Sequence, residues 1–514
     1  MKACVNLYQV KADIPSIQDN RGDLDRLRKA LAIKLSGRMP IIPFELLAHV
    51  ARQFRESGFS GTAVINDLPH GPELIEFLPA PPIMLPGMAL DLGTTHLEAS
   101  LIDLITGKVL AVADRLNSQL DYGADILERI HFATRDEGLD VLHRAVIKSL
   151  NDLAAQLCKT ASISPTEIRA LSVSGNTTMI HLFLKLNPYH ICREPYIPMI
   201  NAPDPCPASK LGLNIHPGAR AWILPSVGSY FGGDLISGIL ACDLDQKEKI
   251  CMLIDVGTNA EVVIGNSEWF IACAGAAGPA LEGGVARMGM RAGKGAIEHV
   301  KIEPETGSIK YTTIDNSPPM GICGSGIIDL VAGLYLSRMI DVRGKFRPAK
   351  AGGRLVRDKD GPAFVVAPAK ETADGIPVLL SQIDLDALIR SKAAMYSILT
   401  TIINQVSIKF KDLESIFVAG AFGRHIDPQQ AVVLGMLPDL PLKTYVPVGN
   451  SSLKGAEKIL LNGSARDRCH KIAKKITYIE LNVNQEFMIR FSGSRFIPHT
   501  DHTLFPSVPF FTDD

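Results

Sequence analysis

The sequence has no Cys-x-x-Cys pair: its nine cysteines stand at 4, 158, 192, 206, 242, 251, 273, 323 and 469, and the nearest two are nine positions apart. Local zinc and iron–sulfur motifs place ligands a few residues from one another, so this spacing excludes them and predicts mostly buried free thiols in a reducing compartment. A charge excess of either sign is also missing, with 53 Lys and Arg against 54 Asp and Glu and a formal net charge of −1. No global basic field exists to hold nucleic acid or an anionic membrane. Long apolar runs are missing too: the uncharged stretch 77–90 is broken by Pro79, Pro81, Pro82 and Pro86, so it cannot be a spanning helix of about 20 residues. Residues 1–9 carry one lysine and neither an apolar signal core nor a small-residue cleavage site, which predicts a cytoplasmic protein. The Walker lysine loop, Gly-x-Gly-x-x-Gly after a strand and Gly-x-Ser-x-Gly do not occur. P-loop, dinucleotide and serine-hydrolase chemistry therefore lose their usual support.

What is present is a 514-residue chain, 46% hydrophobic, with 43 glycines and 33 prolines at turns rather than in repeats. That length and composition predict large buried cores and about three domains. Residues 1–78 read as a small α+β unit, with helical patterns over 21–35 and 43–56 and a strand near 62–65. The Pro-rich stretch 79–87 reads as a stiff linker. From Met88 an apolar strand ends in Asp91, meets Gly93-Thr94-Thr95, and leads through two further strands that turn at Thr106-Gly107. Apolar residues three and four apart from Leu139 to Leu157 predict a helix. A strand over 170–174 ends in Gly175-Asn176-Thr177-Thr178.

The opening device then returns 164 residues later: DLGTT at 91–95 is restated as DVGTN at 255–259, again after an apolar strand and before another. Duplicated halves predict two similar α/β domains facing a cleft. Residues 340–375 read as an irregular insertion, 385–406 as a long helix, and 415–418 as a strand ending in Ala419-Gly420-Ala421-Phe422-Gly423.

Each Asp-x-Gly-Thr turn puts a carboxylate at a strand end beside backbone N–H groups and a hydroxyl, and glycine lets an anion approach closely. A single copy is no more than a tight hairpin; two copies in matching context can hold phosphate. Mg²⁺ takes one or two carboxylates together with phosphate oxygens and water, which assigns that work to Asp91 and Asp255. The small residues of VAGAFG at 418–423 offer a surface on which an aromatic base can lie flat. Gly449-Asn450-Ser451-Ser452, with Gly455-Ala456, reads as a helix start with a small face for close helix packing.

DLGTT resembles the first phosphate motif of the superfamily of acetate and sugar kinases, heat-shock ATPases and actin; DVGTN resembles the second, VAGAFG the adenosine motif and GNSSLKGA the second interdomain helix. More narrowly, the chain is similar to the reductive activators of corrinoid proteins. The strings that carry this are PSIQDNRGDLDRL (15–27), NSQLDYGADILERI (117–130), VSGNTTMIH (173–181), IDVGTNAE (254–261), AAGPALEGG (276–284), GAIEHV (295–300), GICGSGIIDL (321–330), VAGAFG (418–423) and FIPHTD (496–501). The resemblance implies an α/β fold: an actin-like ATPase of two RNase H-like halves around a nucleotide cleft, preceded by a small α+β domain that corresponds to the family's middle domain. The first half is expected over 88–245, completed by roughly 445–490; the second over 246–444, with the insertion near 340–375; and a tail over 491–514.

Carried over residue by residue, the resemblance gives Asp91, Gly93, Thr94 and Thr95 to phosphate and Mg²⁺, and Asp255, Gly257, Thr258 and Asn259 to the second phosphate clamp. Gly420, Ala421 and Gly423 would face adenosine, while Asn176 and Thr177 stand where a residue can orient the attacking water. Gly324 and Gly326 are expected at a close backbone approach, with Cys323 a buried thiol. The implied activity is ATP-dependent return of cob(II)alamin to cob(I) on a corrinoid protein of a methyltransferase system. The family's iron–sulfur module is not found in this sequence, so no cluster is expected here: either a separate ferredoxin or other low-potential donor delivers the electron, or the chain couples ATP to partner remodelling alone, or it has moved to another task. A homodimer stays open. Two other readings remain: a small-molecule kinase of the same fold, with Asp125 or a neighbour as base, and a non-catalytic ATP-binding regulator. His499, Asp501 and His502 lack a distant third ligand and are read as structural.

Overall fold

The computed structural model describes residues 2–229, 231–257, 259–276, 287–290, 292–359, 361–481 and 484–511, and only the backbone of Asn259, Ala276, Ala421, Phe422 and Arg424. It divides into two units, residues 1–241 with 451–474 and residues 242–450 with 475–514.

The first unit begins with β1 (Val5–Lys11), α1 (Asp23–Lys34), α2 (Leu47–Glu56), β2 (Ser60–Leu68) and β3 (Gly71–Leu78). The strands form an antiparallel sheet in the order β1-β2-β3. Leu27 and Leu31 of α1 and Val50 and Phe54 of α2 bury against Ala63, Ile65, Leu74 and Phe77 of the sheet. Phe54 meets Phe59 and Phe77 edge-on at 5.2 and 5.3 Å, the arrangement favoured by ring quadrupoles.

The chain continues through β4 (Pro86–Leu92), β5 (His96–Asp103), β6 (Val109–Leu116), α3 (Ile126–Ala133), α4 (Gly138–Ala161), β7 (Ala170–Gly175), α5 (Thr177–Phe183), β8 (Cys206–Pro207), β9 (Arg220–Ile223) and α6 (Gly233–Ala241). The sheet order is β6-β5-β4-β7-β9-β8. Along α4, Leu142, Val146, Leu150, Leu153 and Leu157 make one buried stripe packed with Leu90, Leu97 and Val173. At about 1.5–3 kcal/mol for each large side chain, this burial outweighs the few tenths that separate local propensities.

The second unit contains β10 (Cys251–Val256), β11 (Asn259–Gly265), β12 (Phe270–Ala276), β13 (Ala296–Ile302), β14 (Ile309–Thr313), β15 (Gly321–Ile322), α7 (Gly324–Leu336), α8 (Pro348–Ala351), β16 (Leu355–Asp358), β17 (Gly361–Ala367), β18 (Val378–Ser381), α9 (Gln382–Gln405), β19 (Ser415–Ala419), α10 (Gly420–His425), α11 (Pro428–Val433) and β20 (Tyr445–Gly449). Back in the first unit are α12 (Ser451–Leu461) and α13 (Gly463–Lys475); β21 (Ile476–Ile479) and α14 (Gln485–Gly493) belong to the second. The main sheet of this unit runs β20-β19-β10-β11-β12-β21.

Taken from the meander outward, β12-β11-β10-β19-β20 repeats the order of β6-β5-β4-β7-β9. In each, three antiparallel strands are followed by two parallel ones. DLGTT and DVGTN therefore lie at the first hairpin of equivalent sheets. The stretch read as an irregular insertion, 340–375, is more ordered than expected: β16 and β17 pair as a hairpin, and β17 pairs with β18. Phe364 and Val366 alternate inward there, and the surrounding Gly, Lys and Arg hide that period-two pattern. Helix α9 is fixed at its start by a capping box, in which Ser381 and Asp384 satisfy each other's backbone N–H. Among the described residues no helix is long and apolar enough to cross a membrane.

Candidate functional site

In the first unit, Asp91 stands at the end of β4 opposite Ser174 of the parallel strand β7. Its Oδ1 accepts a 2.7 Å hydrogen bond from Ser452 Oγ on α12. Ser174 Oγ lies 2.8 Å from the same Ser452 hydroxyl. Because Ser452 gives its single proton to the carboxylate, Ser174 is the donor in the second bond. Ser237 of α6 in turn donates to Ser452 O at 2.7 Å. The two helices touch at Gly455, where a Cβ would lie 2.2 Å from Ser237 Oγ and 2.4 Å from its carbonyl. The small face of Ser451-Ser452-x-x-Gly455 is thus what allows α12 to reach both α6 and Asp91.

Asn117 pins the DLGTT turn from behind: its N–H donates to Thr95 O at 2.9 Å and its Nδ2 to Gly93 O at 3.1 Å. In a trans peptide C=O and N–H point to opposite sides, so the Thr94 N–H is turned away from Asn117. Gly93 is required sterically, since a Cβ there would lie 2.3 Å from His96 O. Behind Asn117, its Oδ1 accepts from Gln119 N–H at 3.0 Å, and Gln119 Oε1 receives the fully buried Arg129 at 3.3 Å. Burial lowers the Arg129 pKa to about 10, with Asp125 pulling it back up.

Asn176 caps α5, its Oδ1 accepting from Met179 N–H at 2.9 Å, while its Nδ2 donates to Thr94 Oγ1 at 3.0 Å. Both ends of the amide are therefore engaged, one in capping α5 and the other in holding the turn. Thr177 is buried and its hydroxyl donates to Gly228 O at 3.0 Å. That hydroxyl is engaged by the backbone. Asp125 is the N-cap of α3 and accepts from Glu128 N–H at 2.8 Å.

In the second unit, parallel pairing of β10 with β19 puts Asp255 opposite Ala419. The chain then turns at Gly420 with φ +78°, the left-handed region that favours glycine. A Cβ on Gly420 would lie 2.7 Å from Val256 O and 2.9 Å from Asp255 Oδ1, and one on Gly423 only 2.1 Å from Val418 O. Asp255 and Val256 of DVGTN and Gly420 of VAGAFG, motifs that start 163 residues apart in sequence, are therefore side by side within this unit. Gly257 is partly exposed next to Asp255. Thr258 lies outside the described residues, as do residues 277–286, which take in all of the AAGPALEGG string after Ala276, and the side chains of Asn259 and Ala421 are not described.

Cys323 is a buried thiol at the start of α7, 3.3 Å from Ile297 O, and a Cβ on Gly326 would lie 2.4 Å from the same carbonyl. His499 Nδ1 accepts from Asp501 N–H at 2.9 Å, and Asp501 receives Thr503 N–H at 3.0 Å. No cluster of three metal-ligating side chains occurs among the described residues. Ser452, Ser174 and Asn117 were not singled out from sequence as site residues, although each stands in or beside a quoted motif.

Three family models account for nearly the whole chain: the RACo linker region over residues 1–80, the RACo middle region over 86–247, and the C-terminal domain of RACo, the ASKHA domain, over 249–509. The chain belongs to the RACo family. The small N-terminal module, expected to be the family's middle domain, is matched by the linker model instead, and the middle region corresponds to the first six-stranded sheet. The chain is 33% identical over 476 residues to the corrinoid activation enzyme RamQ of Eubacterium limosum, covering 91% of this chain and 78% of that one. It is 27% identical over 422 residues to the [Co(II) methylated amine-specific corrinoid protein] reductase of Methanosarcina barkeri, covering 76% and 73%. A solved structure of a reductive activator for corrinoid, iron–sulfur protein superposes with a TM-score of 0.92 at 37% identity, covering 99% of this chain and 81% of that one. The fold is thus α/β with an ASKHA, actin-like domain, as the resemblance implied.

Proposed function

We propose that this protein hydrolyses ATP to drive the reductive activation of a corrinoid protein of a methyltransferase system, cob(II) to cob(I), with the electron supplied by a separate ferredoxin or similar low-potential donor. The observation that carries this reading is the 0.92 superposition on a corrinoid activator over 99% of the chain, including the N-terminal module and the C-terminal segment. A kinase reading has less support, because Asp125 is engaged as a helix cap.

Gly93, Thr94 and Thr95 take phosphate oxygens in the first unit, with Asn176 positioning Thr94, and Asp91 would hold Mg²⁺ through water. Gly257, Thr258 and Asn259 take phosphate oxygens in the second, where Asp255 would also reach Mg²⁺ through water, and Gly420, Ala421 and Gly423 receive the adenosine. The carboxylates at strand ends and the Thr94 hydroxyl are hard oxygen donors of the kind Mg²⁺ uses through its waters. When bound, the ion would neutralise charge on the phosphates.

Six of the nine cysteines are buried. Burial raises Cys4 to about 12 and Cys158 to about 11, so they stay protonated and make poor cluster ligands. This favours an external electron donor.

Raising a one-electron potential by ~150 mV takes ~3.5 kcal/mol of coupling. Typical allosteric coupling reaches about 1–3 kcal/mol, so nucleotide binding alone falls short and hydrolysis is needed to reset the cycle. The test is ADP release by the purified chain with and without a cob(II)-loaded corrinoid protein. Stimulation by the corrinoid protein supports the reading; ADP formed in step with a phosphorylated metabolite would replace it with the kinase.

A further inference from the structure

The largest fully buried side chain among the described residues is a cation, Arg129 of α3. With a pKa of about 10 it keeps its charge at neutral pH, yet its side-chain hydrogen bonds all go to neutral atoms. Nε donates to Gly123 O at 2.9 Å, and one terminal nitrogen faces Gln119 Oε1 and Met179 Sδ, both at 3.3 Å. The other terminal nitrogen is buried without a hydrogen-bond partner among the described residues. Asp125, whose charge acts on Arg129 from one turn earlier, is itself exposed and spends Oδ1 on the cap of α3. A buried charge with no counter-ion in contact is among the costliest arrangements in a protein interior.

The guanidinium stands where two supports of the DLGTT turn meet. One support runs through Gln119: its side chain receives Arg129 and donates to Leu142 O at 2.9 Å, its N–H donates to Asn117 Oδ1, and Asn117 holds Gly93 O and Thr95 O. The other runs through Met179, whose N–H is capped by Asn176, and Asn176 Nδ2 holds Thr94 Oγ1. Asn117, Gln119 and Met179 are all fully buried, and the loop at Gly123 lies directly on the arginine, since a Cβ there would be 3.0 Å from Arg129 Cγ. In such surroundings a charge is felt over a longer distance than in water.

Resting on the ATPase reading above, we propose that Arg129 is a positioning residue for the nucleotide: it braces both supports of the first phosphate turn, and its buried charge is balanced by the phosphate that the turn takes up. In the free protein the cation stands unbalanced. The bound phosphate supplies the missing negative charge, so the attraction adds to MgATP affinity without any contact between the arginine and the ligand. A neutral side chain at this position leaves Gly93, Thr94 and Thr95 in place and removes that attraction.

The experiment measures the MgATP dissociation constant, and kcat and KM for hydrolysis, for the full-length chain and for Arg129→Met, Arg129→Gln and Arg129→Lys. The expected result is a dissociation constant and KM at least about tenfold higher in the two neutral variants with kcat within about threefold of wild type, the pattern of lost ground-state binding. Arg129→Lys, which keeps the charge, should stay within about threefold of wild type in both. A side chain that only held the fold together would lower the share of active protein, and with it kcat, at an unchanged KM. A neutral variant that binds MgATP within about threefold of wild type, or Arg129→Lys as weak as the neutral variants, would overturn the assignment of Arg129 alone. Failure of both neutral variants to fold would make the arginine a structural residue and overturn it as well. A wild-type chain that binds MgATP without hydrolysing it would overturn the ATPase reading, while the dissociation constants still decide on Arg129; a wild-type chain that does not bind MgATP would overturn both.

Discussion

Ser452 gives its hydroxyl proton to Asp91, at 2.7 Å, across 361 residues of sequence. This bond joins the first phosphate turn to α12, so a change in one is felt by the other. A hydrogen bond to a charged group contributes about 1.5–3 kcal/mol. Ser452→Ala should therefore lower the stability by about 1–2 kcal/mol and reduce kcat/KM for ATP by roughly tenfold. Chemical unfolding and steady-state hydrolysis check both, and an unchanged kcat/KM would show that Asp91 needs no help from α12.

Gly420 tests the second unit. Its φ of +78°, and the 2.9 Å at which a Cβ would lie from Asp255 Oδ1, leave no room for a branched side chain. Gly420→Val should weaken ATP binding by at least tenfold and cost about 1–3 kcal/mol of stability through backbone strain. Asp255→Ala should abolish turnover while leaving the circular dichroism spectrum unchanged. Titration with a fluorescent ATP analogue separates the two, since undiminished affinity in Gly420→Val would mean that the adenosine lies elsewhere.

The crossing of α6 and α12 is a third target. A Cβ on Gly455 would lie 2.2 Å from Ser237 Oγ, so Gly455→Val must push the helices apart or break the Ser237–Ser452 bond. Overpacking of this kind costs about 1–3 kcal/mol, read as a fall in Tm together with lower ATPase activity. A wild-type Tm would show that the helices separate freely.

Low pH should loosen the region beside Asn176. His181, fully buried on α5, lies 2.7 Å from Thr177 O through Nδ1, and its Nε2 accepts Met199 N–H at 3.1 Å. Nδ1 is thus the protonated nitrogen of a neutral ring. Burial depresses its folded pKa below the usual 6.5, partly offset by the Thr177 bond. The unfolded chain takes up the proton first as pH falls, so the stabilising contribution is complete above about 6.5 and is lost as pH drops through the depressed folded value. Urea unfolding at pH 7.5, 6.5 and 5.5 should show a steeper loss in wild type than in His181→Gln; parallel curves would remove His181 as a cause. His216 and His499 are also depressed by burial, and the comparison with the variant isolates the His181 share.

How far the sequence could be read follows from the range of the forces involved. The leucine stripe of α4, the small face of α12 and the apolar strands that carry Asp91 and Asp255 are local patterns, and each appears where its residues imply. Strand β1 was not legible, because Asn6 and Gln9 interrupt its alternation and its partner β2 lies about fifty residues away. The β16–β17 hairpin was obscured by its charged flanks. At the site, the carboxylates and glycines were visible as motifs, whereas Ser452 and Ser174 acquire meaning only through pairing across the fold. Thr177 shows the same dependence on the fold: its motif gave no sign that its hydroxyl would meet Gly228 O, fifty-one residues away.

The most direct test of the account is anaerobic visible spectroscopy of a cob(II)alamin-loaded methyltransferase corrinoid protein with a low-potential reductant, to which this chain is added with ATP, without ATP, or with a non-hydrolysable analogue. The account predicts growth of the cob(I)alamin band with ATP alone. Reduction at the same rate without ATP, or no reduction while ATP is being hydrolysed, would contradict it.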